Sequence, residues 1–228
     1  KELLYRANEI EPGFSSTHAL LAMSFAMAGY HAWDASASSS ISNAKKSAAT
    51  AIFIDRNDAF AHAALGWAHM LSGDQAQSAK SFERALQINP NLSAAYGVYV
   101  SALAFLGRTE EAFVAAEKAS SGSLRDPERY QWYIGVMNAC FASEQLEESI
   151  AAAENAVQLQ PKWFGGHLVI AAAASALGLT EKATNAAQTA HRLNPRLNMR
   201  SATRNPLFTR EKDIQRLLDG LRNAGLPE

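Results

Sequence analysis

The sequence predicts an all-α fold, a solenoid of α-α hairpin repeats closed by a separate C-terminal helix. Three observations carry this expectation. Hydrophobic residues make up 48% of the 228, and many of them are alanine. Alanine has the best helix propensity and lets helices approach closely. A proline-terminated phrase returns at a fixed period. Pro161 and Pro195 are 34 residues apart, and Pro90 lies 71 before Pro161, which is one such period plus one lengthened by three. Between these stops, Gly73-Asp74, Gly107-Arg108-Thr109 and Gly178-Leu179-Thr180 each offer a left-handed helix end followed by a capping residue.

In chain order, residues 1–14 read as an opening partial repeat, the second helix of a hairpin, closed by Pro12. Residues 15–58 form the first full unit, with Arg56 where proline is expected. Between Gly29 and Ala44 this unit carries about ten residues beyond the period, YHAWDASASSSISN. These are expected to lengthen the first helix and add a serine-rich loop. A sharper reading has Tyr30, His31 and Trp33 contribute to a partner site. Units at 59–92, 93–129, 130–163 and 164–197 follow, and the stretch SSGSLRDPERY offsets the stacking of two of them. Residues 198–228 are expected to be a C-terminal capping segment. In it Thr209 is an N-cap candidate, and Ile214, Leu217, Leu218 and Leu221 form an apolar stripe. Gly220 interrupts that stripe, and Gly225 with Pro227 ends it. A solenoid end needs such a cap, so the helix is expected to cover the last repeat. Docking on another subunit is the alternative.

The period and its internal pattern resemble the tetratricopeptide repeat. Residues 59–92 carry the fullest version, with Leu65-Gly66, Phe82, Ala85 and Pro90 in place, and with His62, His69 and Ser78 at substituted positions. Tyr96, Gly107, Ala112 and Ala119 mark the next unit. Tyr133, Ser149, Ala156 and Pro161 follow, then Gly178, Ala183, Ala190 and Pro195. The resemblance implies a right-handed superhelical array. In it, small residues on both helices of a hairpin allow close packing, and larger ones fill the gap to the neighbouring unit.

Composition narrows the function classes. A formal net charge of −1 offers no field for nucleic-acid phosphates or anionic lipid, so neither partner is expected. One cysteine, Cys140, excludes an intrachain disulfide and a multi-cysteine metal site. His62 and His69 are seven apart, about 10 Å along a helix, too far to share a metal without further ligands. Glu110-Glu111 and Glu147-Glu148 open predicted helices, where carboxylates complement the helix dipole. The sequence has no P-loop, dinucleotide fingerprint or nucleophile elbow. No catalytic, cofactor-binding or metal-binding residue is therefore assigned, and no enzyme activity or cofactor is expected.

What remains is binding. In tetratricopeptide arrays the inner face is lined by fixed positions of the first helix of each unit. The resemblance places Met23, Met27, Phe60, Trp67, Met70, Phe105, Ile134, Asn138, Phe141 and Leu168 there. Relatives that clamp a terminal carboxylate use Lys, Asn and Arg at such positions, and this set is nearly devoid of them. A methionine- and aromatic-rich face suits an apolar or helical protein segment instead. The competing reading is that curvature or the chain itself buries these residues.

The ending LLDGLRNAGLPE, with NPLF before it and YRANEIEPGFSSTHALLA at the start, resembles the C-terminal part of bacterial class III adenylate/guanylate cyclase-like multidomain proteins. That resemblance implies a regulatory module cut from a longer, cytoplasmic signalling protein, or an extracytoplasmic one if a membrane span lies upstream. A winged-helix regulator as parent, a homodimer and, last, a small-ligand sensor are the alternatives.

Overall fold

A computed structural model describes residues 1–30, 36–120, 129–204 and 208–228. His31, Trp33, most of SSGSLRDPERY and the first three residues of NPLF lie outside the described residues. Among the described residues all regular structure is helical: α1 (Glu2–Ile10), α2 (Ser15–Tyr30), α3 (Ala37–Ile54), α4 (Ala59–Leu71), α5 (Gln75–Ile88), α6 (Ser93–Phe105), α7 (Thr109–Ser120), α8 (Arg129–Ala142), α9 (Leu146–Leu159), α10 (Phe164–Ala176), α11 (Thr180–Leu193), α12 (Met199–Arg204) and α13 (Glu211–Asn223). They form two compact units, Lys1–Ala95 and Tyr96–Glu228.

In the first unit, the extra length of the first repeat goes into helix. α2 has 16 residues and α3 has 18, against 13 and 14 in α4 and α5. The serines expected in a loop instead cap and begin α3, where the Ser39 N–H donates to Ser36 Oγ at 3.3 Å. Competition of serine side chains for backbone partners disfavours helix interiors but suits this cap. One carboxylate organises the next junction. Asp58 Oδ1 accepts from the Ala61 N–H at 2.9 Å, capping α4, while Oδ2 accepts from Ser15 Oγ at 2.7 Å at the start of α2. Asp74 caps α5 in the same way, and Gly73 before it takes a φ of +81°.

Alanine sets the spacing of these helices. Ala22, Ala48 and Ala64, one each from α2, α3 and α4, meet with no exposed surface, and Ala19, Ala51 and Ala61 repeat the arrangement. Gly66 leaves room for the Phe82 ring, which is completely buried. Ser78 stands where the repeat usually has alanine. Its hydroxyl donates to the Gly66 carbonyl at 2.9 Å, so the polar atom is satisfied where no water reaches it.

The second unit repeats that device, with Ser149 donating to the Met137 carbonyl at 2.9 Å. It adds a closer crossing between first helices. A Cβ on Gly97 of α6 would run into the Gln131 carbonyl group of α8, and one on Gly135 would meet the Gly97 oxygen. Thr109 and Thr180, expected to cap, are instead the first residues of α7 and α11.

In the C-terminal segment, α13 packs chiefly on α10, the first helix of the unit at 164–197, rather than on α11, its second helix. Gly220 makes this seat possible, since a Cβ there would strike the Ala172 backbone. Leu218 and Leu221 are buried, and the Met199 N–H donates to the Pro227 carbonyl at 2.7 Å. Thr209 is not the N-cap. Arg210 occupies that position, because the Thr209 hydroxyl is spent on the Phe105 carbonyl.

Candidate functional site

The residues assigned to the inner face separate into two environments, one in each unit. In the first unit Met23 and Met27 lie on α2, and Phe60, Trp67 and Met70 on α4. Met23 packs on the Ala22–Ala48–Ala64 layer and Phe60 on the Ala19–Ala51–Ala61 layer, each keeping part of its surface in solvent. Met27 and Met70 are half-buried as well. Trp67 is buried, and its ring meets that of Tyr30 edge-on at 5.6 Å. Tyr30, read from sequence as part of the insertion, is the last residue of α2 and joins this cluster.

In the second unit Phe105, Ile134, Asn138 and Phe141 are all buried, and Leu168 is partly so. Asn138 Nδ2 donates to Ser101 Oγ at 3.2 Å, and Ser101 passes its own proton to the Gly97 carbonyl at 3.1 Å. Asn138 is thus internal structure. Phe105 and Phe141 are covered by the chain itself. The Phe208 ring stands edge-on to Phe105 at 5.1 Å and tilted against Phe141 at 5.4 Å. Thr209 fixes that insertion, donating to the Phe105 carbonyl from its N–H at 2.9 Å and from its hydroxyl at 2.8 Å.

The rest of the contact is electrostatic. Arg210 donates to the Ala142 carbonyl at 2.7 Å and Arg216 to the Phe141 carbonyl at 3.0 Å. Both carbonyls lie at the negative end of α8, where a cation is favoured, and that of Phe141 also accepts from the Glu144 N–H at 3.3 Å. Asp213 is completely buried, and it accepts from Arg210 at 2.6 Å and Arg216 at 3.1 Å. A buried carboxylate persists only with such partners. Arg216 also lies over the Phe141 ring at 5.7 Å and pairs with Glu144 at 2.6 Å, while Lys212 reaches the same carboxylate at 3.4 Å. The carboxyl of Glu144 is held below the ordinary glutamate range, chiefly by Arg216 and then by Lys212.

Sequence reasoning did not find Phe208, Arg210, Asp213, Arg216 or Glu144. One signal was present. The left-handed turn positions that follow α4, α6 and α10 hold Gly73, Gly107 and Gly178, and after α8 the equivalent residue is Glu144.

The groups that resemble catalytic machinery are otherwise engaged. Burial, with help from Glu148, pushes the Cys140 thiol up to about 11, leaving it protonated and unreactive at neutral pH. His69 is pulled below its ordinary value mainly by burial and also by Lys45, against an opposing pull from Asp74. Its Nδ1 stands 3.8 Å from Asp74 Oδ2, beyond hydrogen-bond reach, so the imidazole is neutral rather than ion-paired near pH 7. His62 Nε2 lies 3.1 Å from the Arg56 carbonyl. Among the described residues no three His, Cys, Asp or Glu side chains are grouped so as to hold a metal ion. No described helix is long and apolar enough to cross a membrane.

Comparison with known proteins agrees with this architecture. Residues 59–92 match the tetratricopeptide repeat family. None of the curated proteins compared with the chain matches it. Similar solved structures include PilW, described as a widely conserved type IV pilus biogenesis factor, at a TM-score of 0.63 and 16% identity, covering 90% of this chain and 88% of that one. PilF of Pseudomonas aeruginosa follows at 0.59 and 17%, covering 91% and 88%. A MamA double mutant of RS-1 gives 0.52 and 19%, covering 78% and 96%. At these identities the likeness is one of fold, an all-α solenoid of tetratricopeptide-type hairpins.

Proposed function

We propose that this chain is a non-catalytic protein-interaction module that takes an apolar, helical segment of another protein on the first unit. One observation carries the reading. On α2 and α4, the helices that hold the Trp67–Tyr30 pair, Met23, Met27, Phe60 and Met70 all keep exposed surface, whereas Phe105 and Phe141 in the second unit lie under Phe208. Flexible, polarisable methionine side chains adapt to an inserted helix, and no cation stands among these five inner-face positions to clamp a carboxylate. The ending LLDGLRNAGLPE supports a parent of the bacterial cyclase-like signalling kind, with this region regulating rather than catalysing in the cytoplasm. Identifying a cyclase or winged-helix domain upstream of Lys1 would decide the parent.

Trp67 is itself buried, so Trp67→Ala opens a cavity and is a poor probe of the surface. Met27→Lys and Met70→Lys are cleaner. A photo-crosslinking residue at Met23 in the full chain should trap a partner in the producing cell, and each lysine variant should abolish trapping while far-UV circular dichroism stays the same. Trapping that survives both charges would sink this face as the site.

A second reading, self-association, is favoured by Leu3, Ile10 and Phe53, which are 77%, 85% and 87% exposed. A crosslinked species of twice the chain's mass, with concentration-dependent light scattering, would select it.

A further inference from the structure

We infer that a groove formed by α3, α4 and α5 is a docking site for an acidic segment of a partner protein, one that sets apolar side chains beside carboxylates. The groove has a volume of about 530 Å³, and its lining has two parts. Ile52 and Leu65 begin the apolar part. Ile52 packs on the Ala19–Ala51–Ala61 layer and Leu65 on the Ala22–Ala48–Ala64 layer, so both are anchored in the core. Phe53 joins them with its ring almost fully exposed. Arg56 and Arg84 are the cationic part, and both meet the turn between α3 and α4. His62 Nε2 lies 3.1 Å from the Arg56 carbonyl, and Arg84 donates to Asn57 Oδ1 at 3.1 Å. The two carboxylates of that turn are engaged elsewhere. Asp55 accepts from the Asn57 N–H, and Asp58 accepts from the Ala61 N–H and Ser15 Oγ. Neither guanidinium is ion-paired with a carboxylate among the described residues.

The chain carries its own comparison. A groove of about 500 Å³ is formed by α9, α10 and α11 in the other unit. Five of its lining residues lie 105 positions beyond their counterparts, with His167 matching His62 and Ile170 matching Leu65. There Glu154 pairs with Lys182 at 2.7 Å, whereas the matching residues of the first groove are Ala49 and Gln77. Where the first groove has Phe53, Arg56 and Arg84, the second has Gln158, Pro161 and Thr189. The hairpin fold therefore requires none of those three side chains, and Arg56 even replaces the proline that closes other units. Together they add one exposed aromatic ring and two cations, the residue types that dominate protein interfaces. A guanidinium group pairs best with a carboxylate, in forked geometry. A cationic or wholly apolar segment would cover both arginines without pairing them, which is costly. The groove thus selects a segment that is both acidic and apolar. Met23, Met27 and Met70 do not line it, so this site and the one on α2 and α4 can fail independently.

The probe is a fluorescein-labelled synthetic peptide, Glu-Glu-Leu-Phe-Glu-Glu, titrated by fluorescence anisotropy into the full chain. Saturable binding is expected. Arg56→Glu and Arg84→Glu should each weaken it at least about tenfold, and so should raising the salt from about 0.05 M to about 0.5 M. Phe53→Ser should weaken it as well, while Lys182→Ala in the matching groove should leave it unchanged. Phe53, Arg56 and Arg84 are exposed, so these variants should keep the helicity of the wild type by far-UV circular dichroism. A peptide with serine in place of Leu and Phe should bind at least about tenfold more weakly. Equal binding of that peptide would reduce the site to charge attraction and overturn the inference. Absence of saturable binding, or binding that survives both glutamate variants, would also overturn it. A concentration-dependent dimer that Arg56→Glu dissociates would make a second copy the occupant, against the partner proposed here.

Discussion

The Arg216 guanidinium meets the Glu144 carboxylate at 2.6 Å, and Glu144 is the only described non-glycine residue with a left-handed backbone, at a φ of +67°. Three other hairpins use glycine at this turn, where a Cβ is unfavourable. The fourth keeps a side chain there, and that side chain holds the C-terminal helix. Glu144→Gly removes the backbone strain and the ion pair together. The expected outcome is faster amide exchange across α13 with no fall in melting temperature, read by hydrogen-exchange mass spectrometry and calorimetry. Glu144→Gln keeps the strain and loses the charge, so exchange across α13 should quicken and the melting temperature should fall. Because Arg216 holds this carboxyl below the ordinary value of 4.5, the pair is intact above that pH. It is lost as pH drops through the lowered value, and α13 exchange should accelerate only there.

Gly97→Ala should destabilise the second unit by about 1–3 kcal/mol, because the new methyl group meets the Gln131 backbone, which cannot rotate away. Urea denaturation followed by far-UV circular dichroism measures this. Gly13→Ala, with nothing near its Cβ position, is the control and should be close to neutral.

Ser78→Ala and Ser149→Ala each delete one buried hydrogen bond between the two helices of a hairpin. Each should cost about 0.5–1.5 kcal/mol, since the acceptor is a helical carbonyl that keeps its backbone donor. A gain in stability from either would show that the bond only compensates for the buried hydroxyl.

Burial, as the first cause, lowers the pKa of both His69 and His167, with Lys45 adding to the first and Arg192 to the second. The folded chain keeps them neutral where the unfolded chain binds protons. Their contribution is therefore full above about pH 6.5 and declines as pH falls toward the lowered folded values. Urea midpoints should drop between pH 7.5 and 5.5, and His69→Leu should flatten part of that slope. An unchanged slope in this variant would remove His69 from the account.

With its thiol pushed up to about 11, Cys140 should react with a thiol-exchange reagent at pH 8 only as fast as the chain unfolds. A rapid native-state reaction would contradict the burial assigned to it.

The sequence by itself determined the helical class, the hairpin rhythm and the turn chemistry, because these are local. Alanine fixes how closely α2, α3 and α4 approach, Asp58 and Asp74 cap the helices that follow them, and Gly73, Gly107 and Gly178 adopt the left-handed turns their spacing announced. Position within a repeat also located Phe105 and Phe141. It could not say what would face them, because Phe208 lies more than sixty residues from Phe141 and no periodicity connects the two. Only tertiary packing decided that Gly220 would admit α13 onto Ala172, that Arg210 and Arg216 would share a buried Asp213, and that α8's carbonyls would receive them. Those outcomes depend on long-range geometry and on charges finding partners away from water. Of the residues the resemblance assigns to one face, Met23, Met27, Phe60 and Met70 keep part of their surface in solvent, while Trp67 is buried and Phe105 and Phe141 lie under the chain's own Phe208.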